Sequence, residues 1–181
     1  MGLVVRDATL DDAEAMGRVH VRAWQAAYRG AMPDAYLDGL DPTDRARMWR
    51  SGIAERPENL PLVAVRDGNV VGHAACGPTT DPAGAGELYS INVDPLDWGH
   101  GAGRALLEEV DRRLMASHDA AVLWVVPSNA RARRFYERAG WSVDGAERTA
   151  EVLGVSVPEI RYRKQLRRRT PGHGSGPGPN G

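Results

Sequence analysis

A glycine-rich stretch in the middle of the chain decides its fold, and it reads Val93-Asp94-Pro95-Leu96-Asp97-Trp98-Gly99-His100-Gly101-Ala102-Gly103-Arg104-Ala105-Leu106-Leu107. Pro95 ends the strand before it, because proline cannot donate a hydrogen bond to a β-ladder. Apolar residues then recur at the spacing of one helix face, at Leu106, Leu107, Val110 and Leu114. The stretch therefore predicts a strand, a glycine-rich turn and a helix in succession.

The turn at residues 99–103 has the chemistry of a phosphate site, since backbone N–H groups at a helix start attract anions and glycines let a phosphate approach closely. A nucleoside-triphosphate loop would end in Gly-Lys-Ser/Thr, whereas Gly103 is followed by Arg104 and Ala105. A dinucleotide loop would place its third glycine at position 104. Without further context, a simple tight turn is the alternative to a phosphate site.

Strand and helix signals surround this unit. Thr9 and Asp12 form the pattern of a capping box, Thr43 is predicted to cap a later helix, and Asp67-Gly68-Asn69 predicts a hairpin turn. Strands are predicted over residues 3–6, 62–65, 70–76, 87–93, 121–126, 141–143 and 160–166. Between them, helices are predicted around residues 16–27, 33–40, 45–52, 106–114 and 129–139.

The bulk composition indicates one soluble domain. The chain has 181 residues, a formal net charge of -1, 42% hydrophobic and 26% charged residues. It lacks the basic field of a non-specific nucleic-acid binder, so nucleic acid is not expected as a partner. It has no run of eighteen apolar residues, so a membrane is not expected either. Cys76 is the only cysteine and no histidine pair has metal-ligand spacing, which predicts no disulfide, no metal and a cytoplasmic location.

A second motif follows one helix and one strand later, and it reads Asn129-Ala130-Arg131-Ala132-Arg133-Arg134-Phe135-Tyr136-Glu137-Arg138-Ala139-Gly140-Trp141. It is similar to the Asn-x-x-Ala-x-x-x-Tyr-x-x-x-Gly-Phe signature of the GNAT superfamily of N-acetyltransferases. The first stretch resembles that family's Arg/Gln-x-x-Gly-x-Gly/Ala motif, with Gly101 and Gly103 in register and Trp98 where Arg or Gln is usual. The resemblance covers roughly residues 3–166, and the amino-terminal part is similar to a subset of bacterial members.

The resemblance implies an α/β fold, in the sense of an α+β mixed sheet. About six to seven strands form a twisted, mostly antiparallel central sheet, flanked by about four helices, and one splayed strand pair holds the cofactor. The acetyltransferase domain is expected over residues 1–169, followed by a disordered Gly/Pro-rich tail over 170–181.

The resemblance also implies acetyl-CoA as cosubstrate and names the residues that bind it. Main-chain groups of one strand would pair with the pantetheine arm, and the amides of the glycine loop would hold the pyrophosphate. These residues are Ile91, Asn92, Val93, Trp98, Gly99, His100, Gly101, Ala102, Gly103 and Arg104, with Asn129, Ala132 and Tyr136 from the second motif. The amide of Val93 would also stabilise the oxyanion.

Two residues are predicted to be catalytic. Glu87 matches the strand glutamate that serves in some members of the family as general base, and Tyr136 matches the tyrosine that protonates the thiolate. A solvated strand-end glutamate and a core tyrosine are the alternatives. Trp24, Tyr28 and His73 are predicted on the acceptor side. For His73 the alternative is a strand histidine satisfied by its neighbours.

The implied activity is direct transfer of an acetyl group to a primary amine of a small molecule or a protein amino terminus. The family also implies that a homodimer can form. One alternative is a non-catalytic acyl-CoA sensor. A second alternative is nucleic-acid binding through the basic patch Arg161, Arg163, Lys164, Arg167, Arg168 and Arg169, which a strong salt dependence would reveal.

Overall fold

The chain is organised around one seven-stranded mixed sheet. The computed structural model describes residues 2–55, 59, 61–152 and 155–166. The strands are β1 (Leu3–Asp7), β2 (Leu62–Arg66), β3 (Asn69–Pro78), β4 (Gly86–Val93), β5 (Ala120–Val125), β6 (Ser142–Val152) and β7 (Val155–Gln165). Their order in the sheet is β1-β2-β3-β4-β5-β7-β6. β4 and β5 pair in parallel, and the other neighbouring strands in this order pair antiparallel.

Five α-helices cover the two faces of the sheet in the described part of the chain. They are α1 (Ala13–Tyr28), α2 (Asp34–Asp38), α3 (Pro42–Glu55), α4 (Ala102–Leu114) and α5 (Ala130–Arg138). None of these helices combines the length and the apolar character needed to cross a membrane. The mixed sheet with its flanking helices confirms the predicted fold class.

Two apolar layers hold the helices to the sheet. Leu106, Val110 and Leu114 of α4 pack with Leu88 and Leu123 of the central strands, all 3% exposed or less. On the opposite face, α1 and α3 pack through Met16 and Trp49 against β2 and β3. Gly17 makes this possible, because a Cβ there would lie 2.8 Å from the backbone nitrogen of Ala46 on α3.

Local signals in the sequence set several boundaries. The Asp12 carboxylate accepts hydrogen bonds from the N–H and hydroxyl of Thr9 (2.8 and 2.9 Å), as the capping box predicts. Asp67 and Gly68 both have positive φ (50° and 82°), which suits a tight hairpin turn. The predicted Thr43 cap is wrong: Asp41 accepts from the Thr43 N–H (2.7 Å), and α3 begins at Pro42.

The last hairpin is longer than predicted. Strands expected over 141–143 and 160–166 extend in the structure to Ser142–Val152 and Val155–Gln165, because β6 and β7 pair along nearly their whole length. Pro158 is tolerated since β7 pairs with β5 only from Ile160 onward. The predicted tail over 170–181 and the basic residues 167–169 lie outside the described residues.

Candidate active site

The two central parallel strands separate and open a cleft of about 1230 Å³. β4 pairs with β5 only over residues 86–88, so residues 89–93 pair with β3 alone. A register shift in the ladder with β3 leaves Tyr89 as an extra residue on β4. Leu123 is the last β5 residue paired with β4, and Trp124 follows it at the point of separation. The free edge of β4 leads directly to the glycine loop.

The glycine loop closes one end of this cleft. Gly99 and Gly101 have φ of 84° and 91°, a conformation that side chains other than glycine adopt only with strain, and Gly101 is the N-cap of α4. Arg66 pins the loop, donating to Asp97 (2.9 Å) and to the carbonyl of His100 (2.7 Å). A fixed loop at the start of a 13-residue helix offers backbone N–H groups to an anion.

Trp98 brings a cation to the loop although it is itself uncharged. Its indole Nε1 donates to the carbonyl of Val93 (2.9 Å), which fixes the ring. The guanidinium of Arg131 on α5 stacks on that ring, 3.6 Å from the centroid. Arg131 makes no hydrogen bond or ion pair with the described residues. An unpaired positive charge therefore lies where the family motif usually carries Arg or Gln.

Tyr136 lies in the cleft with its hydroxyl kept protonated. Its side chain is 8% exposed, and burial together with the neighbouring Tyr28 raises its pKa. Asn129 caps α5 by accepting from the N–H of Ala132 (3.0 Å), and it also hydrogen-bonds the Tyr28 side chain. A phenol with a raised pKa can donate a proton but does not ionise at neutral pH.

The other end of the cleft is aromatic and charged. Trp24 and Tyr28 of α1 pack on each other with ring centroids 5.0 Å apart. In the same cleft, the guanidinium of Arg148 stacks over Trp124, 4.1 Å from the ring centroid, and pairs with Glu159 (2.8 Å). Aromatic walls with a small number of placed polar groups are typical of small-molecule sites.

Most of the predicted residues come together in this cleft. Those that line it are Trp24, Tyr28, Ile91, Asn92, Val93, Trp98, Gly99, Gly101, Gly103, Arg104, Asn129, Ala132 and Tyr136. His100 and Ala102 belong to the loop, but their side chains do not line the cleft. Among the described residues, no group of three or more His, Cys, Asp or Glu side chains could hold a metal ion.

Glu87 and His73 are the two predicted residues that lie elsewhere. Glu87 pairs with Gly77 on β3 at the beginning of β4, outside the cleft lining. His73 is fully buried against Trp49 (ring centroids 4.6 Å) because α1 and α3 cover this face of β3. The assignment of His73 to the acceptor side is therefore corrected, since its side chain does not reach the cleft.

Sequence reasoning missed four residues that shape the cleft, namely Trp124, Arg131, Arg148 and Glu159. The Trp98 departure from the family motif was a signal that a cation could come from elsewhere. Trp124 carried a weaker signal, a large aromatic at the end of an otherwise aliphatic strand. Arg148 and Glu159 gave none, because their positions depend on a hairpin longer than the sequence predicted.

Comparison with solved structures shows that other proteins share this fold. PaiA N-acetyltransferase from Thermoplasma acidophilum, in complex with coenzyme A, matches with a TM-score of 0.73 at 19% identity, over 91% of this chain and 99% of that one. YncA from Salmonella typhimurium, a putative acetyltransferase with its cofactor acetyl-CoA, matches with a TM-score of 0.68 at 20% identity, over 96% and 99%. These matches concern the fold.

The chain belongs to the acetyltransferase (GNAT) family, whose model matches residues 21–141. It is 30% identical to the L-amino acid N-acetyltransferase AaaT of Escherichia coli K12, over 91% of this chain and 98% of that protein. It is 29% identical to the uncharacterized N-acetyltransferase YuaI of Bacillus subtilis, over 87% and 90%. The chain is thus an acyltransferase of the N-acetyltransferase class.

Proposed function

We propose that this protein transfers an acetyl group from acetyl-CoA directly to the primary amine of a small molecule or a protein amino terminus. The observation that carries the proposal is the free edge of β4 over residues 89–93, which runs into the glycine loop. A strand edge can pair with the amide-containing pantetheine arm, and the loop can hold the pyrophosphate beyond it.

The residues of the cleft fit this cosubstrate. Gly99 and Gly101 allow a close approach of phosphate to the backbone, and Arg131 supplies an unpaired charge beside them. Charge-assisted hydrogen bonds to phosphate are among the strongest in proteins, so Arg131 strengthens what the backbone amides begin.

The transfer needs a neutral amine, a stabilised oxyanion and a proton for the departing thiolate. The amine nitrogen attacks the thioester carbonyl carbon, the carbon–sulfur bond breaks, and the amine loses a proton. Tyr136 donates its hydroxyl proton to the thiolate, and the backbone N–H of Val93 donates to the oxyanion. Glu87 accepts the amine proton through water and lies on the same sheet face as Ser90 and Asn92. Solvent exchange then restores the proton of Tyr136.

Ligand-dependent thermal unfolding tests the cosubstrate. Acetyl-CoA and CoA are expected to raise the melting temperature, because a ligand at a hundred times its Kd stabilises by about 2.7 kcal/mol, whereas ATP and NADH are expected to have no effect. Absence of a shift with both CoA species contradicts the proposal. A shift without release of free thiol toward any amine would identify an acyl-CoA sensor.

Thiol release with a panel of amines tests the transfer. The panel should contain L-amino acids, polyamines and peptides with a free amino terminus, since one relative is named an L-amino acid N-acetyltransferase. Tyr136→Phe is expected to lower kcat about a hundredfold, because it removes the general acid, while the Kd for acetyl-CoA stays the same. Unchanged kcat in this variant removes Tyr136 from the mechanism.

A further inference from the structure

The guanidinium of Arg148 lies at the point where strands β4 and β5 separate. Its guanidinium carbon lies 4.1 Å from the centroid of the Trp124 ring, and Trp124 directly follows the last β5 residue paired with β4. The side chain starts on β6 and crosses β7 to reach that ring. A positive charge is thereby fixed beside the apex of the cleft, where the proposed reaction takes place.

The contacts that hold Arg148 in place leave its two terminal nitrogens free to bind a ligand. Glu159 lies opposite it on β7 and accepts from the side-chain Nε at 2.8 Å. The two terminal amino nitrogens have no hydrogen-bond partner among the described residues, and the side chain is 45% exposed. Stacking on Trp124 and a bond to Nε orient the guanidinium, so that the pair of terminal nitrogens can bind another planar group.

Arg161 lies beside the same aromatic ring, but it already forms ion pairs with carboxylates. Its guanidinium lies 5.5 Å from the Trp124 centroid, its side chain is 14% exposed, and it pairs with Asp144 (2.9 Å) and Asp81 (3.4 Å). These two carboxylates bind the Nε and one terminal nitrogen of Arg161. Of the two arginines beside the Trp124 ring, Arg148 is therefore the more exposed, and it is the one with both terminal nitrogens unbonded among the described residues.

We infer that Arg148 binds a carboxylate of the acceptor, so that the acceptor is an amine with a carboxylate close to it. This inference rests on the proposed acetyl transfer. A guanidinium binds a carboxylate through two parallel N–H···O bonds, and the Trp124 ring and Glu159 hold Arg148 in place before the acceptor arrives. Arg148 stacks on Trp124 beside the apex of the cleft, where the proposed reaction takes place. The carboxylate that it binds must therefore lie close to the reacting amine.

The test compares acceptors that differ only in the carboxylate. Standard L-amino acids, their amides and the corresponding decarboxylated amines are assayed for kcat/KM by thiol release. The native protein is expected to prefer the acids by about ten- to a hundredfold over the amides, as charge-assisted hydrogen bonds to a carboxylate require. Arg148→Gln is expected to remove this preference while acetylation of the amides and amines is retained.

The controls separate binding from folding. Arg47→Gln removes an exposed guanidinium on α3 outside the cleft and is expected to keep the preference for acids. Retained amide acetylation shows that Arg148→Gln folds. Equal rates for acids and amides in the native protein, or an equal loss on both in Arg148→Gln, would overturn the inference and leave the acetyl transfer standing. If no amine releases thiol, the proposed function fails as well.

Discussion

Mild acid should destabilise this protein, because two histidines are buried without hydrogen-bond partners. His20 on α1 is 6% exposed and His73 on β3 is fully buried, with ring centroids 6.0 Å apart. Their four ring nitrogens have no partner among the described residues. Burial and the nearby charge of Arg45 lower the pKa of His20 to about 4, and burial and His20 lower the pKa of His73.

The sign of this pH dependence follows from whether the folded or the unfolded state binds the proton first as the pH falls. The unfolded chain takes up protons near pH 6.5, before folded His20 does, so stability is complete above that pH and falls until about pH 4. For His20 alone the loss is about 3 kcal/mol over the whole range, of which about 2 kcal/mol is lost by pH 5. His73 adds a loss of the same sign.

Urea unfolding between about pH 7.5 and pH 5 measures this loss, above the range in which the low-pKa carboxylates Asp12 and Glu109 titrate. Asp111 acts in the opposite direction, since burial raises its pKa, so a variant comparison is needed. His20→Phe keeps a ring between Trp24 and His73 and should show a shallower fall in the free energy of unfolding with acid. Parallel curves for the two proteins would refute the reasoning.

Three further changes test the packing and the site. Gly17→Ala should lower the free energy of unfolding in urea by about 1–3 kcal/mol, since its Cβ would overlap the carbonyl oxygen of Pro42. Gly52→Ala is the control: its Cβ would have nothing within 4 Å, so the change should be neutral or stabilising. Equal effects of the two changes would contradict the close α1–α3 contact. Arg131→Ala should raise the Kd for CoA about tenfold in calorimetry, because it removes the charge stacked on Trp98, and an unchanged Kd would exclude Arg131 from the pyrophosphate site. Glu87→Gln should lower the rate most where the amine is largely protonated, and an unchanged pH–rate profile would reject Glu87 as base.

The sequence by itself determined the parts of this protein that depend on neighbouring residues. The glycine loop, the hairpin at Asp67 and the cap of α5 at Asn129 follow from the conformational freedom of glycine, from turn chemistry and from side-chain capping. Two motifs in order were enough to predict the family. The lengths of β6 and β7 were underestimated, because residues 147–152 are mostly polar and become a strand through their partner.

Only the tertiary structure decided which side chains meet from distant parts of the chain. The register shift at Tyr89 changes which β4 residues face α4, and the helices α1 and α3 bury His73 away from the cleft. The pairing of Arg131 with Trp98 depends on how α5 packs beside the loop. Arg148 reaches Trp124 only because β7 lies between β5 and β6 in the sheet, and no local pattern in the sequence encodes that order.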